Sequence, residues 1–260
     1  MNRCIGVLDS GIGGLTVVKE LQKQLPGENI LYFGDNKNCP YGNRSGEDIL
    51  ALTMNMLEFM KQNDVKTVAI ACNTISTLID YYKDKFDFPI IDITKPTIDH
   101  IINMNIYDVA ILGTEFTIKT GKYEKLLHEK NSDIRVINEG SQLLAGLIDS
   151  GKFDSPETRE VVKSHIDNLM KKGNADNLVL ACTHFPIIED VFLDISPQLN
   201  IINPAFQQAK AISEYLSSNN LLNDKKEGEL DIYTSGDTKI YSNVIERLNL
   251  KNVNSIKNSP

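Results

Sequence analysis

Two cysteines occupy matching positions in two similar stretches of this 260-residue chain. Cys72 follows an apolar, strand-like run and precedes an Asn-Thr pair, and Cys182 follows a second such run and precedes a Thr-His pair. Hydroxyl, amide and imidazole groups beside a thiol, and the start of the next helix, all stabilise a thiolate. A buried structural cysteine explains either position alone equally well. The paired occurrence favours a chemical function.

A pair of thiols suits the inversion of a chiral carbon. Proton exchange at such a centre needs a base on one face and an acid on the other, with the roles exchanged in the reverse direction. Two thiols that face one ligand meet this requirement. The α-proton of an amino acid is weakly acidic, so hydrogen-bond donors must also stabilise the carbanion. A decarboxylase needs only one such thiol, and therefore the pair favours racemisation.

Two turns could bind the carboxylates of a ligand. The glycine-rich turn between Asp9 and Thr16 fits no dinucleotide or phosphate loop, because the required third glycine would stand at Thr16 and Asp9 brings negative charge. The sequence of this turn fits better a turn whose backbone N–H groups bind a carboxylate. Asp9 would then be free to act as an acid, a base or a partner of an ammonium group. The alternative is a structural turn capped by Asp9. The Pro40-Tyr41-Gly42 turn could clasp a second anion.

Short apolar runs alternate with amphipathic segments along the whole chain, which is typical of βαβ units and a mostly parallel sheet. The pattern predicts strands at residues 5–8, 30–33, 67–71, 90–93, 109–112, 134–137, 178–181 and 201–202. It predicts helices at residues 15–25, 45–62, 119–129, 156–172 and 207–219.

A weak internal duplication relates two parts of the chain. Residues 68–74 are similar to 178–184, and residues 5–11 are similar to 109–114. Two related halves would each place a cysteine at the carboxyl end of a parallel strand, where open α/β sheets bind ligands. We therefore expect an α/β fold of two pseudo-symmetric, doubly wound domains with mostly parallel sheets and an active site in the cleft between them. The first domain would comprise residues 1–95 plus 205–260, and the second 96–204. The polar stretch 219–229 and the C-terminal tail are expected to be loosely ordered.

Composition restricts the partners and the location. The net charge of −8 and the pI near 5.1 argue against nucleic acid and anionic membranes as partners. No apolar stretch approaches the roughly 18 residues of a membrane span, and the N-terminus lacks the pattern of a signal peptide, so a cytoplasmic location is expected. The cysteines lack zinc-site spacing, and no metal is expected. His100, His128 and His165 lie in helix-like segments and are expected at the surface.

Several motifs together, in order and spacing, resemble those of the glutamate racemases of the aspartate/glutamate racemase superfamily. The resemblance extends from about residue 5 to about residue 215. The motifs that carry it lie at residues 9–17, 32–35, 40–42, 71–74, 113–114 and 182–186. Several motifs in register are far more specific than any one of them.

The resemblance implies racemisation of L- and D-glutamate without pyridoxal phosphate or any other cofactor, which supplies D-glutamate for peptidoglycan. It also implies a homodimer. It implies that Cys72 takes the α-proton from the D-isomer and Cys182 from the L-isomer, with help from Asp9 and His184. Other residues would hold the carboxylates and the amino group. By the same resemblance these are Ser10, Pro40, Tyr41, Gly42, Asn73, Thr74, Thr114 and Thr183.

The sequence departs from the family pattern near the expected site. The family usually has an Ala-Cys-Pro element followed by an apolar run and a glutamate. This chain instead has Glu-Gly-Ser-Gln-Leu-Leu at residues 139–144, and Asp149 is the nearest later acid. Residues 36–39, 94–97 and 203–205 also differ. Both thiols are retained, so the open question is the side-chain specificity. Alternatives are a racemase for aspartate or another amino acid, an enzyme for a hydantoin or malonate derivative, and a non-catalytic amino-acid-binding regulatory protein of the same fold.

Overall fold

The structure, a computed structural model, describes residues 3–173 and 175–259. Met1, Asn2, Asn174 and Pro260 lie outside the described residues. They include both ends of the predicted first domain and the start of the N-terminal stretch that is expected to lack a signal peptide. The strands are β1 (Ile5–Asp9), β2 (Ile30–Gly34), β3 (Thr67–Ile70), β4 (Ile90–Asp92), β5 (Asp108–Thr114), β6 (Arg135–Ser141), β7 (Asn177–Ala181), β8 (Asn200–Ile202), β9 (Leu230–Thr234) and β10 (Val253–Asn258).

The strands form two sheets whose paired strands are parallel. The first has the order β10-β9-β2-β1-β3-β4 and the second the order β6-β5-β7-β8. The inner order β2-β1-β3-β4 is thus repeated by β6-β5-β7-β8, which is the structural counterpart of the duplication in the sequence. The predicted fold class, two pseudo-symmetric α/β units with parallel sheets, is confirmed.

Helices connect the strands and cover the sheets. They are α1 (Leu15–Gln24), α2 (Gly46–Gln62), α3 (Asn73–Ser76), α4 (Thr94–Asn103), α5 (Glu115–Lys119), α6 (Lys122–Lys130), α7 (Leu144–Asp149), α8 (Pro156–Lys172), α9 (Glu189–Ile195), α10 (Pro204–Ser218) and α11 (Ile240–Leu248). Across residues 3–173 and 175–259, every helix is too short or too polar to cross a membrane.

The predicted helix at 119–129 is two helices in the structure. Thr114 caps α5, because its side chain accepts a hydrogen bond from the Thr117 N–H at 3.2 Å. Gly121 then adopts a φ of 62°, a left-handed conformation that glycine reaches without steric cost, and α6 begins after it. Thr114, at the end of β5, lies beside Thr74, which follows the first cysteine by two residues, with 3.0 Å between their hydroxyl oxygens.

The C-terminal tail is ordered, so the expectation of a loose tail was wrong. Residues 230–258 form β9, α11 and β10, and β9 extends the first sheet beyond β2. Leu230, Ile232 and Thr234 of β9 are fully buried, while Asp231 and Tyr233 between them are half-buried. This short alternating strand buries one face only, and its apolar signal in the sequence is correspondingly weak. Residues 219–229 consist of turns and irregular structure, as expected.

The central strands provide a rigid base for the loops at their carboxyl ends. Ile5, Val7 and Leu8 of β1 are completely buried, as are Ile111 and Leu112 of β5. Burial of each such side chain stabilises the fold by about 1.5–3 kcal/mol. The loops that follow these strands are therefore held by the best-packed part of each sheet.

Candidate active site

The two cysteines of the sequence pattern occupy equivalent places in the two sheets. Cys72 follows β3, the neighbour of β1, and Cys182 follows β7, the neighbour of β5. Both thiols therefore lie at the carboxyl ends of parallel strands, where open α/β sheets bind ligands. Cys72 is 5% exposed and Cys182 is 6% exposed.

Both thiols line one cavity between the two sheets, together with nearly all the other predicted site residues. The lining consists of Ser10, Cys39, Pro40, Tyr41, Gly42, Cys72, Asn73, Thr74, Thr114, Ala145, Cys182, Thr183 and His184. The cavity measures about 20 Å³, which is enough for about one water molecule. An amino acid therefore enters only if the walls of this cavity move apart.

The surroundings of Cys72 disfavour its ionised form. Burial and, after it, the charge of the nearby Asp9 carboxylate raise the pKa of Cys72 to about 12. The Ser10 hydroxyl lies 3.5 Å from the Cys72 sulfur and acts in the opposite direction. A neutral thiol is thus the resting form of Cys72 near neutral pH, and a positive charge brought by a ligand would favour the thiolate.

Cys182 lies at the end of a chain of three side chains. Its sulfur is 3.8 Å from Nδ1 of His184, and Nε2 of His184 is 2.9 Å from a carboxylate oxygen of Asp149. Burial alone would lower the pKa of His184, but Asp149 and then Cys182 outweigh burial and hold that pKa well above its usual value. The imidazole can therefore carry a proton next to the sulfur of Cys182.

Asp9 is held in the turn by hydrogen bonds. The first interpretation of the sequence, in which Asp9 is free, was therefore wrong. One of its carboxylate oxygens accepts hydrogen bonds from the N–H groups of Gly11 and Gly14, at 3.2 Å and 3.0 Å, and the other from Thr183 Oγ1 at 3.1 Å. Asp9 is completely buried, and burial raises its pKa against the effect of His184. It lies behind the cavity and links the first glycine-rich turn to the loop of Cys182.

Gly13 allows this close approach of the two loops. A Cβ atom at this position would lie 2.7 Å from Nδ1 of His184 and 2.8 Å from the His184 backbone nitrogen, and it would also overlap Thr183 Oγ1. Any larger residue must therefore displace the loop that carries Cys182. Glycine is required at this position because the two halves approach so closely. The backbone conformation of Gly13 does not itself require glycine.

The amide of Asn73 offers a free donor at the cavity. Its oxygen accepts a hydrogen bond from the Tyr123 hydroxyl at 2.7 Å, which fixes the orientation of the amide. Its Nδ2 atom is buried and lacks a hydrogen-bond partner among the described residues. A buried donor without a partner costs about 1–3 kcal/mol, and a ligand oxygen in the cavity would recover this energy.

Hydroxyl groups from both halves meet opposite Asn73. Thr74 Oγ1 lies 3.0 Å from Thr114 Oγ1 and 3.2 Å from Thr117 Oγ1. The Tyr41 hydroxyl donates a 2.5 Å hydrogen bond to Asp35, and this bond holds the Pro40-Tyr41-Gly42 turn against the first sheet. The site thus contains several polar groups in fixed positions.

The sequence interpretation gave no role to four residues that the structure places at or behind the site: Cys39, Asp149, Asp35 and Tyr123. Asp149 was noted only as the nearest later acid, and residues 36–39 only as unusual. The histidines expected at the surface lie away from the cavity. His128 is exposed, but His100 is half-buried, and so is His165, whose ring contacts Glu139 and Ser141. The expectation of an exposed position therefore holds for His128 and was wrong for His100 and His165.

Two parallel α/β sheets that contribute one thiol each to a shared cavity are the arrangement expected of a two-domain amino-acid racemase, an enzyme of the isomerase class. The comparisons with known proteins agree with this class. The profile of the Asp/Glu/hydantoin racemase family matches residues 5–210. A glutamate racemase from Thermoanaerobacter pseudethanolicus is 35% identical over 252 residues, 95% of this chain and 93% of the relative.

Two solved structures are similar over almost their whole length. A glutamate racemase isoform from Bacillus anthracis has a TM-score of 0.92 at 31% identity, covering 99% of this chain and 97% of that one. A glutamate racemase from Francisella tularensis, solved in complex with D-glutamate, has a TM-score of 0.91 at 32% identity, covering 100% and 98%. The chain therefore belongs to the Asp/Glu/hydantoin racemase family and is an isomerase of the glutamate racemase type.

Proposed function

We propose that this chain interconverts L- and D-glutamate by proton transfer at Cα between Cys72 and Cys182. The observation that carries the proposal is that both thiols, one from each half, line the same small cavity. The substrate follows from the relatives, which are glutamate racemases, one of them bound to D-glutamate. Cys72 takes the α-proton from the D-isomer and Cys182 from the L-isomer.

A charged side chain near each thiol affects its proton transfer. When Cys72 acts as base, the neutral Cys182 thiol protonates the other face of the carbon, and protonated His184 lies 3.8 Å from the sulfur to compensate the thiolate that remains. Asp9 interacts with Cys72 by charge, and the ammonium group of the substrate would offset this interaction. In the reverse direction the two thiols exchange roles.

The polar groups of the cavity hold the substrate and stabilise the carbanion. The free Nδ2–H of Asn73 and the hydroxyls of Ser10, Thr74 and Thr183 are placed to bind the α-carboxylate and the ammonium group. Pro40, Tyr41, Gly42 and Thr114 complete the pocket. Because the two thiols supply both proton transfers, the proposed reaction needs no cofactor.

The proposal also covers the domain boundaries, the location, the oligomeric state and the use of the product. The domain boundaries are placed near residues 95 and 204, because the first sheet takes strands from 5–92 and 230–258 and the second takes strands from 108–202. We propose a cytoplasmic homodimer whose product, D-glutamate, is used for peptidoglycan. Racemisation of aspartate and binding without catalysis are the competing outcomes of the test below.

The decisive test is proton exchange in deuterium oxide with both enantiomers of glutamate and of aspartate. Chiral chromatography and mass spectrometry should show inversion of glutamate together with deuterium at Cα. The variants Cys72→Ser and Cys182→Ser should show no inversion, whereas Cys4→Ser, a cysteine at the opposite end of β1, should keep the wild-type rate. Faster inversion of aspartate would reassign the substrate. Glutamate binding without deuterium incorporation would identify a binding protein.

A further inference from the structure

Three side chains with different metal-binding atoms converge beside the cavity. The sulfur of Cys39, a carboxylate oxygen of Asp149 and an imidazole nitrogen of His184 all lie within 4.8 Å of one another. The sulfur of Cys39 is 3.8 Å from Asp149 Oδ2, and His184 Nε2 is 2.9 Å from Asp149 Oδ1. The three residues come from distant parts of the chain, so only the fold brings these atoms together.

The spacing is close to that of a tetrahedral metal site. Zinc bonds of about 2.3 Å to sulfur and about 2.0–2.2 Å to nitrogen and oxygen put neighbouring ligand atoms about 3.3–3.6 Å apart. His184 Nε2 lies 2.9 Å from Asp149 Oδ1 and the Cys39 sulfur lies 3.8 Å from Asp149 Oδ2, on either side of this range, and the three ligand atoms lie within 4.8 Å of one another. Side-chain shifts of up to about 1 Å would therefore bring the three ligand atoms to tetrahedral spacing.

The types of ligand atom favour zinc and similar cations. Thiolate and imidazole bind Zn²⁺ well, whereas Mg²⁺ and Ca²⁺ prefer oxygen ligands alone. Three protein ligands leave the fourth tetrahedral position for solvent, a common arrangement for zinc. Coordination deprotonates a thiol even where burial disfavours the free thiolate.

An ion can reach the Asp149 carboxylate without passing the two thiols of the cavity. The Asp149 side chain is 26% exposed and lines an open pocket of about 270 Å³ with Ile148, Gly151 and Lys239. On the inner side, a Cβ at Gly11 would lie 3.1 Å from the Cys39 sulfur and 3.6 Å from Cε1 of His184. The thiol and the imidazole edge thus face the same glycine, which has no side chain to separate them.

We propose that Cys39, Asp149 and His184 form a binding site for Zn²⁺, and that its occupation stops racemisation. As the metal binds, the Cys39 thiol and the protonated His184 imidazole each release one proton to solvent. The metal takes the place of the His184–Asp149 hydrogen bond and withdraws the imidazole from proton exchange with Cys182. Metal binding is independent of the proposed function, whereas the inhibition depends on it.

Cobalt(II) reports the ligands directly, because a cobalt–thiolate bond gives a sulfur-to-cobalt charge-transfer band. Titration of the wild-type protein with Co²⁺ should give this band at one equivalent, and Zn²⁺ should displace it. Cys39→Ser should lose the band, and Asp149→Asn should weaken binding about 10-fold or more. Cys4→Ser and Cys182→Ser are the matched controls and should retain the band. Far-ultraviolet circular dichroism establishes that each variant is folded.

Retention of the band in Cys39→Ser, or its loss in Cys182→Ser, would overturn the site. Activity is the second measurement. Zn²⁺ should inhibit the wild-type enzyme reversibly, with recovery on chelation, and any residual activity of Cys39→Ser should be about 10-fold or more less sensitive to Zn²⁺. Full racemisation by the Co²⁺-loaded wild type would refute the inhibition and leave the site intact. A metal-free wild type that does not racemise would instead refute the proposed function.

Discussion

Nε2 of His184 lies 2.9 Å from Oδ1 of Asp149, 35 residues away in the sequence. His184 is buried, and the carboxylate is the main group that keeps its pKa high against the effect of burial. On its other side the imidazole contacts Cys182. The Asp149 carboxylate thus acts on the second thiol through an intermediate ring, which makes it a positioning residue.

Asp149→Asn should therefore slow proton transfer at Cys182. Without the charge of the carboxylate the pKa of His184 falls, and we expect kcat to decrease about 100-fold or more. The step at Cys182 then becomes rate-limiting. The deuterium isotope effect on kcat/KM should increase for α-deuterated L-glutamate and decrease for α-deuterated D-glutamate. Asp149→Glu keeps the charge and should restore part of the rate. Equal isotope effects with both enantiomers would contradict this role.

Ser10→Ala should shift the pH dependence of the reaction to higher pH. The pKa of Cys72 is about 12, so the small thiolate fraction increases as the pH rises toward that value, and kcat/KM for D-glutamate should increase with it. The Ser10 hydroxyl lowers this pKa, and its removal raises the pKa and reduces the thiolate at a given pH. Ser10→Thr keeps a hydroxyl and serves as the control. A shift to lower pH in Ser10→Ala would show that the sign is wrong.

Gly13→Ala should reduce kcat/KM about 100-fold, since displacement of a catalytic group by about 1 Å has an effect of this size. The added methyl group would overlap Thr183 and the backbone of His184, and it should also lower the free energy of unfolding by about 1–3 kcal/mol. The kinetics and urea unfolding measure the two effects. Gly46→Ala is the matched control, because its Cβ would be 3.9 Å from the nearest neighbouring atom, in Phe116. A fully active Gly13→Ala would argue against a rigid contact here.

Substrate binding should change the mobility of the cavity walls. The cavity of about 20 Å³ is too small for an amino acid, so the walls must open before glutamate enters. Saturating D-glutamate should then bridge residues 40–43 and 182–185 and slow their backbone hydrogen exchange, measured by mass spectrometry. Residues 156–172, a helix remote from the cavity lining, are the internal control. Unchanged exchange in both segments of the cavity would count against closure on the substrate.

Much of the fold was predictable, because apolar periodicity and short connections are local properties of the sequence. All eight predicted strands form, and the repeated Ala-Cys pattern corresponds to a repeated strand order. The strands β9 and β10 were not predicted, since a strand with one buried face has few apolar residues. The break at Gly121 was also missed, because a helix and its interruption share the same apolar spacing.

By itself the sequence determined that two cysteines follow two parallel strands and that a glycine-rich turn precedes the first helix, since strand ends and turns depend on neighbouring residues. Only the tertiary structure decided that Asp9 is tied to Thr183, that Asp149 reaches His184, and that Cys39 lies 3.8 Å from Asp149 across 110 residues. The contacts of Asp9 with Thr183 and of Cys39 with Asp149 join the two halves, and the contact of Asp149 with His184 joins two distant parts of the second half. Their geometry depends on how the sheets pack, and no local pattern encodes that packing.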